Sequence, residues 1–407
     1  MTEENLAKKF GLATNEQINS KLPILVVDDQ QDLRLIVAHH LTKLQFNNVI
    51  QASNGMEALD ILRSAKEIAA VICDMEMPNM NGLELIQEIR EDLHAKRIPF
   101  CLAMDNVSKE KIMLGVEHGV DEILVKPFTL GDIIPKLRSA YKIFHNPTNP
   151  EPVYELAKQK IRDKQYDEAI AIYKVLLQST KKSARPHVGL AKIEKEKGNF
   201  TAALEYLQQA EEKNENYVHL YSVRGDIYVA QQKLEQAIEQ YKKGIQLSPL
   251  NPIRYLKAVE VLIEQEKYEE SVQLLQMAID KNLSFPELYH FMSQASYQLK
   301  DYKNAIKYVR HALQADEKNL KYLNQLAISY KESNQPDEAQ KTYNSMIKID
   351  PDNLTALFNK SILMHERGNL DEAIKIMDRV TKKHPDFAKA QEKLKQFEKE
   401  QNNKGAA

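Results

Sequence analysis

The chain predicts two architectures in series, an α/β doubly wound five-stranded parallel sheet followed by an all-α solenoid. Three observations carry this expectation. Five short apolar runs alternate with amphipathic stretches before residue 145. From residue 150 the sequence repeats every 34 residues, seven times without an insertion. Between the two, HNPTNPEP (145–152) holds three prolines in six residues and punctuates the chain. Fully apolar strands alternating with helices imply a parallel sheet covered on both faces. A fixed period with helical spacing implies stacked helix pairs.

The 407 residues are too many for one ordinary domain. A composition of 43% hydrophobic and 28% charged residues is that of a globular protein. No apolar stretch approaches the ~18 residues of a membrane span, and the polar extension 1–20 lacks a secretory core. Cys73 and Cys101, the only cysteines, lie inside apolar runs, which predicts buried thiols in a reducing cytosol and a cytoplasmic protein. Charge divides unevenly. Through residue 145 there are 16 Lys and Arg against 21 Asp and Glu, a net of −5; the remainder carries 40 against 37, a net of +3. The near balance of the second part argues against DNA as a partner.

The five predicted strands are PILVV (23–27), NVIQA (48–52), AAVIC (69–73), PFCLAM (99–104) and EILV (122–125). Helical stretches such as DLRLIVAHHLTKL and LELIQEIREDL fall between them. In such sheets the functional crevice lies at the carboxyl ends of the strands. The first run ends at Asp28-Asp29, the third at Asp74 and the fifth at Lys126-Pro127-Phe128. A lone strand-end aspartate is ordinarily a turn residue or an N-cap. Three converging carboxylates, however, repel one another unless cations join them. A hard divalent cation such as Mg²⁺ suits oxygen ligands, and a lysine supplies a point charge suited to phosphate. Together these residues describe a place where a carboxylate takes up a phosphoryl group.

The motifs VVDD (26–29), DMEMPNMNG (74–82) and VKPF (125–128), with spacings of 45 from Asp29 to Asp74 and 52 from Asp74 to Lys126, resemble the receiver domain of bacterial response regulators over residues 21–144. VIQASNGMEAL (49–59) and GVDEILVKPF (119–128) fit the same pattern. The resemblance implies that Asp74 is the phosphoacceptor and that Lys126 contacts the phosphoryl oxygens. It implies Mg²⁺ held by Asp28, Asp29, Asp74 and the backbone carbonyl of Glu76. It also implies a histidine kinase or phosphotransfer protein as donor, and a homodimer through the surface near the fourth and fifth helices.

Two positions depart from the family. Its Ser or Thr at the end of the fourth strand is Met104 here, followed by Asp105, and its switch aromatic is Ile123. Ser108, in the next loop, is the nearest substitute hydroxyl. Without the hydroxyl an acyl phosphate lacks a hydrogen bond worth roughly 1.5–3 kcal/mol. Pro135 is expected to delay the fifth helix to around Asp132, since proline is tolerated in a first turn.

The blocks YDEA, FTAA, LEQA, YEES, YKNA, PDEA and LDEA, starting at residue 166 and spaced by 34, are similar to tetratricopeptide repeats over 150–387, with a charged capping helix and tail over 388–407. Such repeats bind proteins or peptides on a concave face lined by the first helix of each pair. Non-core positions there form a basic group, Lys158, Arg162, Arg185, Lys192 and Lys195, and an apolar group, Val229, Ile253, Leu256, Ile263 and Tyr297. Ile328, Phe358 and Ile362 continue the apolar row.

The expected protein is therefore a two-component signalling adaptor rather than an enzyme, its receiver governing a protein-binding solenoid. Two alternatives keep the fold: a phosphorylation-independent scaffold or dimerisation module, and a phosphate sink for a histidine kinase.

Overall fold

The computed structural model describes residues 21–43, 46, 48–64, 67–92, 98–145 and 150–405. The extension 1–20 and residues 146–149 of the Pro-rich break lie outside them. The chain divides into two compact units, Met1–Asn251 and Pro252–Ala407.

In the first unit, β1 (Ile24–Val27), β2 (Val49–Ala52), β3 (Ala70–Asp74), β4 (Phe100–Met104) and β5 (Glu122–Val125) form one parallel sheet of order β2-β1-β3-β4-β5. Alternation along each strand sends side chains to two cores. Leu25, Val71, Cys73, Phe100 and Leu102 meet helices α2 (Gly55–Ser64), α3 (Gly82–Asp92) and α4 (Lys109–Glu117) on one face. Ile24, Val26, Ile72, Cys101 and Ala103 meet α1 (Gln31–Lys43) and α5 (Leu130–His145) on the other. Both cysteines are free and buried, and burial pushes both thiols up.

The late start expected for α5 is corrected. The helix begins at Leu130 and runs through Pro135. Proline removes the bond to the carbonyl four residues back. Here that residue is Gly131, and both it and Pro135 are exposed, so the break in the bonding falls on the solvent side of the helix.

Three helix pairs follow in the same unit: α6 (Glu151–Arg162) with α7 (Tyr166–Ser179), α8 (Arg185–Glu196) with α9 (Phe200–Lys213), and α10 (Val218–Ala230) with α11 (Leu234–Leu247). The second unit holds four pairs: α12 (Pro252–Glu264) with α13 (Tyr268–Asp280), α14 (Pro286–Gln298) with α15 (Tyr302–Ala315), α16 (Leu320–Glu332) with α17 (Pro336–Ile349), and α18 (Leu354–Glu366) with α19 (Leu370–Lys383). The last helix is α20 (Ala388–Gly405). Small residues let each pair close. Ala157, Ala191, Ala327, Ala169, Ala203 and Ala305 are fully buried. Where a serine replaces alanine its hydroxyl is used: Ser293 Oγ donates to the Ala305 carbonyl at 2.8 Å, and Ser361 Oγ to the Ala373 carbonyl at 2.7 Å. A Cβ on Gly225 would lie 2.4 Å from the Tyr241 ring, so only glycine fits that crossing.

Candidate functional site

The parallel register brings Asp28, Asp29, Asp74 and Lys126 to the carboxyl edge of the sheet. β1 ends one residue before Asp28, β3 ends on Asp74, and β5 ends one residue before Lys126. One carboxylate oxygen from each of Asp28, Asp29 and Asp74 lies within 4.8 Å of the others. Lys126 Nζ donates to Asp28 Oδ2 at 2.8 Å and sits 2.9 Å from Asp74 Oδ1. All three side chains are at most 9% exposed, whereas Asp29 opens to solvent. Backbone amides hold the acids in place, Gln30 N on Asp28 Oδ1 and Met75 N on Asp74 Oδ1, both at 2.9 Å. The turn after Asp74 folds back tightly. A Cβ on Gly82 would stand 2.3 Å from the Asp74 carbonyl, so hydrogen is the only side chain that position admits.

Burial pushes the Asp74 carboxyl above its usual range, Lys126 opposes this, and Asp28 adds to it. Burial acts to lower Lys126, but its bonds to Asp28 and Asp74 prevail and raise it. Three carboxylates around one ammonium leave an excess of two negative charges, and one acid faces water. That donor set fits a small hard dication that keeps some of its waters.

The other sequence-predicted positions fall as follows. Glu76 directs its carboxylate to Lys111 Nζ at 2.8 Å, away from the trio. Met104 ends β4 and is 1% exposed, in the core face with Cys73 and Leu102. Ile123 packs against the same cluster. Ser108 is spent as the N-cap of α4, its Oγ accepting from Lys111 N at 3.2 Å. The basic residues of the repeats are largely partnered. Lys158 pairs with Glu155 and Lys195 with Glu196. Arg185 pairs with Glu151 and lies 3.9 Å over the Tyr154 ring. Arg162 and Lys192 are exposed. Among the apolar positions Ile253 is 46% exposed, Val229, Leu256, Ile263 and Tyr297 are half-buried, and Ile328, Phe358 and Ile362 pack on the core.

Sequence reasoning missed the opposite edge of the sheet. Arg90 donates to the carbonyls of Ile98 and Gly119 and pairs with Asp121 at 3.0 Å. Asp121 also accepts from Phe100 N at 2.8 Å. Burial pushes Asp121 up to about 6, with Arg90 and the Phe100 amide opposing and Glu151 of the first repeat adding. At the end of α4, Glu117 Oε2 accepts from Asn251 Nδ2 at 3.1 Å, and Leu250 packs against the α2–α4 core. The third repeat therefore touches the α/β domain at the edge opposite Asp74. Glu117 and Asn251 are 134 residues apart, and no local pattern marks such a pair.

The model of the response regulator receiver domain matches residues 24–138. A chemotaxis protein CheY homolog from Campylobacter jejuni is 34% identical over 108 residues, 26% of this chain and 83% of that protein. The chain belongs to the response regulator receiver family. The chemotaxis protein CheY1 of Helicobacter pylori matches the receiver equally, at 34% identity over 26% of this chain and 87% of its own length. Behind the receiver, tetratricopeptide repeat models match 160–227, 225–258, 296–353 and 343–396. The C-terminal part of a TPR repeat-containing protein from Cytophaga hutchinsonii shares the repeat fold, at 16% identity and TM-score 0.50 over 59% of this chain and 99% of that one. No helix among the described residues is long and apolar enough to cross a membrane.

Proposed function

We propose that the receiver accepts a phosphoryl group on Asp74 from a histidine kinase or phosphotransfer protein and thereby governs protein binding by the repeats, as a cytoplasmic two-component response regulator. The observation that carries this reading is Lys126 held between Asp28 and Asp74, 2.8 and 2.9 Å away, beside a third acid open to water. Asp28, Asp29 and Asp74, with the Glu76 carbonyl, would hold Mg²⁺, which when bound supplies charge neutralisation on phosphoryl oxygens. An Asp74 oxygen attacks phosphorus, the bond from phosphorus to the donor breaks, and its electron pair leaves with the donor. Lys126 then exchanges the Asp74 carboxylate for a phosphoryl oxygen while keeping Asp28.

A second reading rests on Met104 and Ser108. With a thioether buried at the end of β4 and the nearest hydroxyl committed to a helix cap, the usual hydroxyl-to-aromatic switch has no parts, which favours a phosphorylation-independent scaffold. Intact mass after incubation with Mg²⁺ and a small phosphodonor, with Asp74→Asn alongside, separates the two. One phosphoryl adduct, absent in the variant, is the expected result. A folded, unmodified wild type would leave the scaffold reading.

A further inference from the structure

The second helices of the repeats are alike in one respect that α15 breaks. Six of the seven carry at least one Asp or Glu; α15, YKNAIKYVRHALQA, carries none, but has Lys303, Lys307, Arg310 and His311. Several cations on other second helices of this unit are neutralised nearby. Lys341 pairs with Glu338, Lys382 with Asp378, and Arg379 and Lys383 with Asp352. Among the described residues Lys303, Lys307 and Arg310 form no ion pair with a carboxylate. The acids flanking α15 serve other groups, Asp301 capping the helix through Asn304 and Asp316 holding Lys318 N and Asn319.

These cations line a cavity of about 660 Å³ between α15 and the end of α16, with Ile306 and Tyr330 also in its wall. Arg310 is pre-positioned, donating to the Tyr330 hydroxyl and lying 5.7 Å from that ring. His311 is likewise stacked on Tyr289, with ring centroids 5.2 Å apart. Uncompensated positive charge around a cavity raises the local concentration of anions. An arginine held by an aromatic ring loses less freedom on binding. Lys303 to Arg310 spans about 10 Å of helix, the length of about three extended residues.

We infer that this cavity is a docking site for an acidic peptide segment of a partner protein, with two or three carboxylates meeting Lys303, Lys307 and Arg310. Nucleic acid fits less well, because Tyr330 is 4% exposed and offers no open face for a base. The inference stands apart from phosphoryl transfer at Asp74, since its residues lie in the second unit and its charge does not depend on Asp74.

The test is fluorescence anisotropy of a labelled hexaglutamate peptide with the full chain, at low and high salt. Lys303→Glu with Lys307→Glu is expected to weaken binding about tenfold or more, and Lys341→Glu, an exposed charge change of the same kind on α17, to have little effect. The altered lysines are exposed, and a thermal melt checks that the variants fold. No peptide binding by the wild type, or equal losses in both variants, would overturn the proposal. A labelled single-stranded oligonucleotide bound more tightly than the peptide, and lost in the double variant, would overturn it in favour of nucleic acid.

Discussion

At the carboxyl ends of the receiver strands, Asp28 and Asp74 share a single ammonium, Lys126, and a third acid stands beside them. At the amino ends, Asp121 has the Arg90 guanidinium and the Phe100 amide, and the third repeat packs alongside through Leu250 and Asn251. Both edges bury carboxylates, but the first gathers three around a single ammonium, whereas Asp121 has a guanidinium of its own. An under-compensated set of acids is held ready for a cation or a reaction. A carboxylate with its own guanidinium fixes structure, and at this same edge Glu117 and the α2–α4 core meet Asn251 and Leu250 of the third repeat.

The largest expected effect breaks the first edge. Lys126→Met leaves Asp28 and Asp74 buried without their cation and should cost about 3–5 kcal/mol at neutral pH, measured by urea unfolding in Mg²⁺-free buffer. Adding Mg²⁺ should return more stability to the variant than it adds to the wild type. A loss indifferent to Mg²⁺ would mean that the acids hold no cation.

A somewhat smaller effect concerns the second edge. Asp121 has a folded value of about 6 against an ordinary 3.8, so between these values the native state binds more protons than the unfolded one. Its contribution therefore destabilises above pH ~6 and is relieved as pH falls through that window, by on the order of 3 kcal/mol. Glu122 and Glu151, held low against burial by Lys136 and Arg185 respectively, act in the opposite sense at lower pH. The informative quantity is thus wild-type stability minus that of Asp121→Asn at each pH. A difference that is flat from pH 4 to 6 would remove Asp121 as the source.

The smallest effect sharpens the seat itself. Asn251→Ala removes the hydrogen bond to Glu117 and should cost about 1 kcal/mol, with faster amide exchange confined to the end of α4. Unchanged exchange there would show that Leu250 alone holds the contact.

What was legible from sequence follows the same division. The strands and the trio of acids could be read because each acid directly follows or ends an apolar run, and a parallel sheet must gather such ends at one edge. The start of α5 was misjudged because Pro135 was weighed without knowing that Gly131 faces solvent. The repeat cations were over-read for a related reason. Arg185 looks free in sequence, but its partner Glu151 lies one repeat earlier, and Lys331 with Glu366, Asn324 with Asn359 and His365 with Glu400 sit 35 residues apart in the same way. A search at the repeat period of 34 residues and one residue beyond it would have found all four. The seat between receiver and third repeat had no such period to announce it.

That seat makes the receiver a ligand on a leash. Joined to the repeats by the short segment after α5, its lower edge faces the surface around Leu250 and Asn251 at a local concentration on the order of millimolar. A free protein competing for that surface at micromolar levels is outnumbered about a thousandfold. Repeats expressed without the receiver would accordingly leave uncovered the surface at Leu250 and Asn251 that the intact chain keeps occupied.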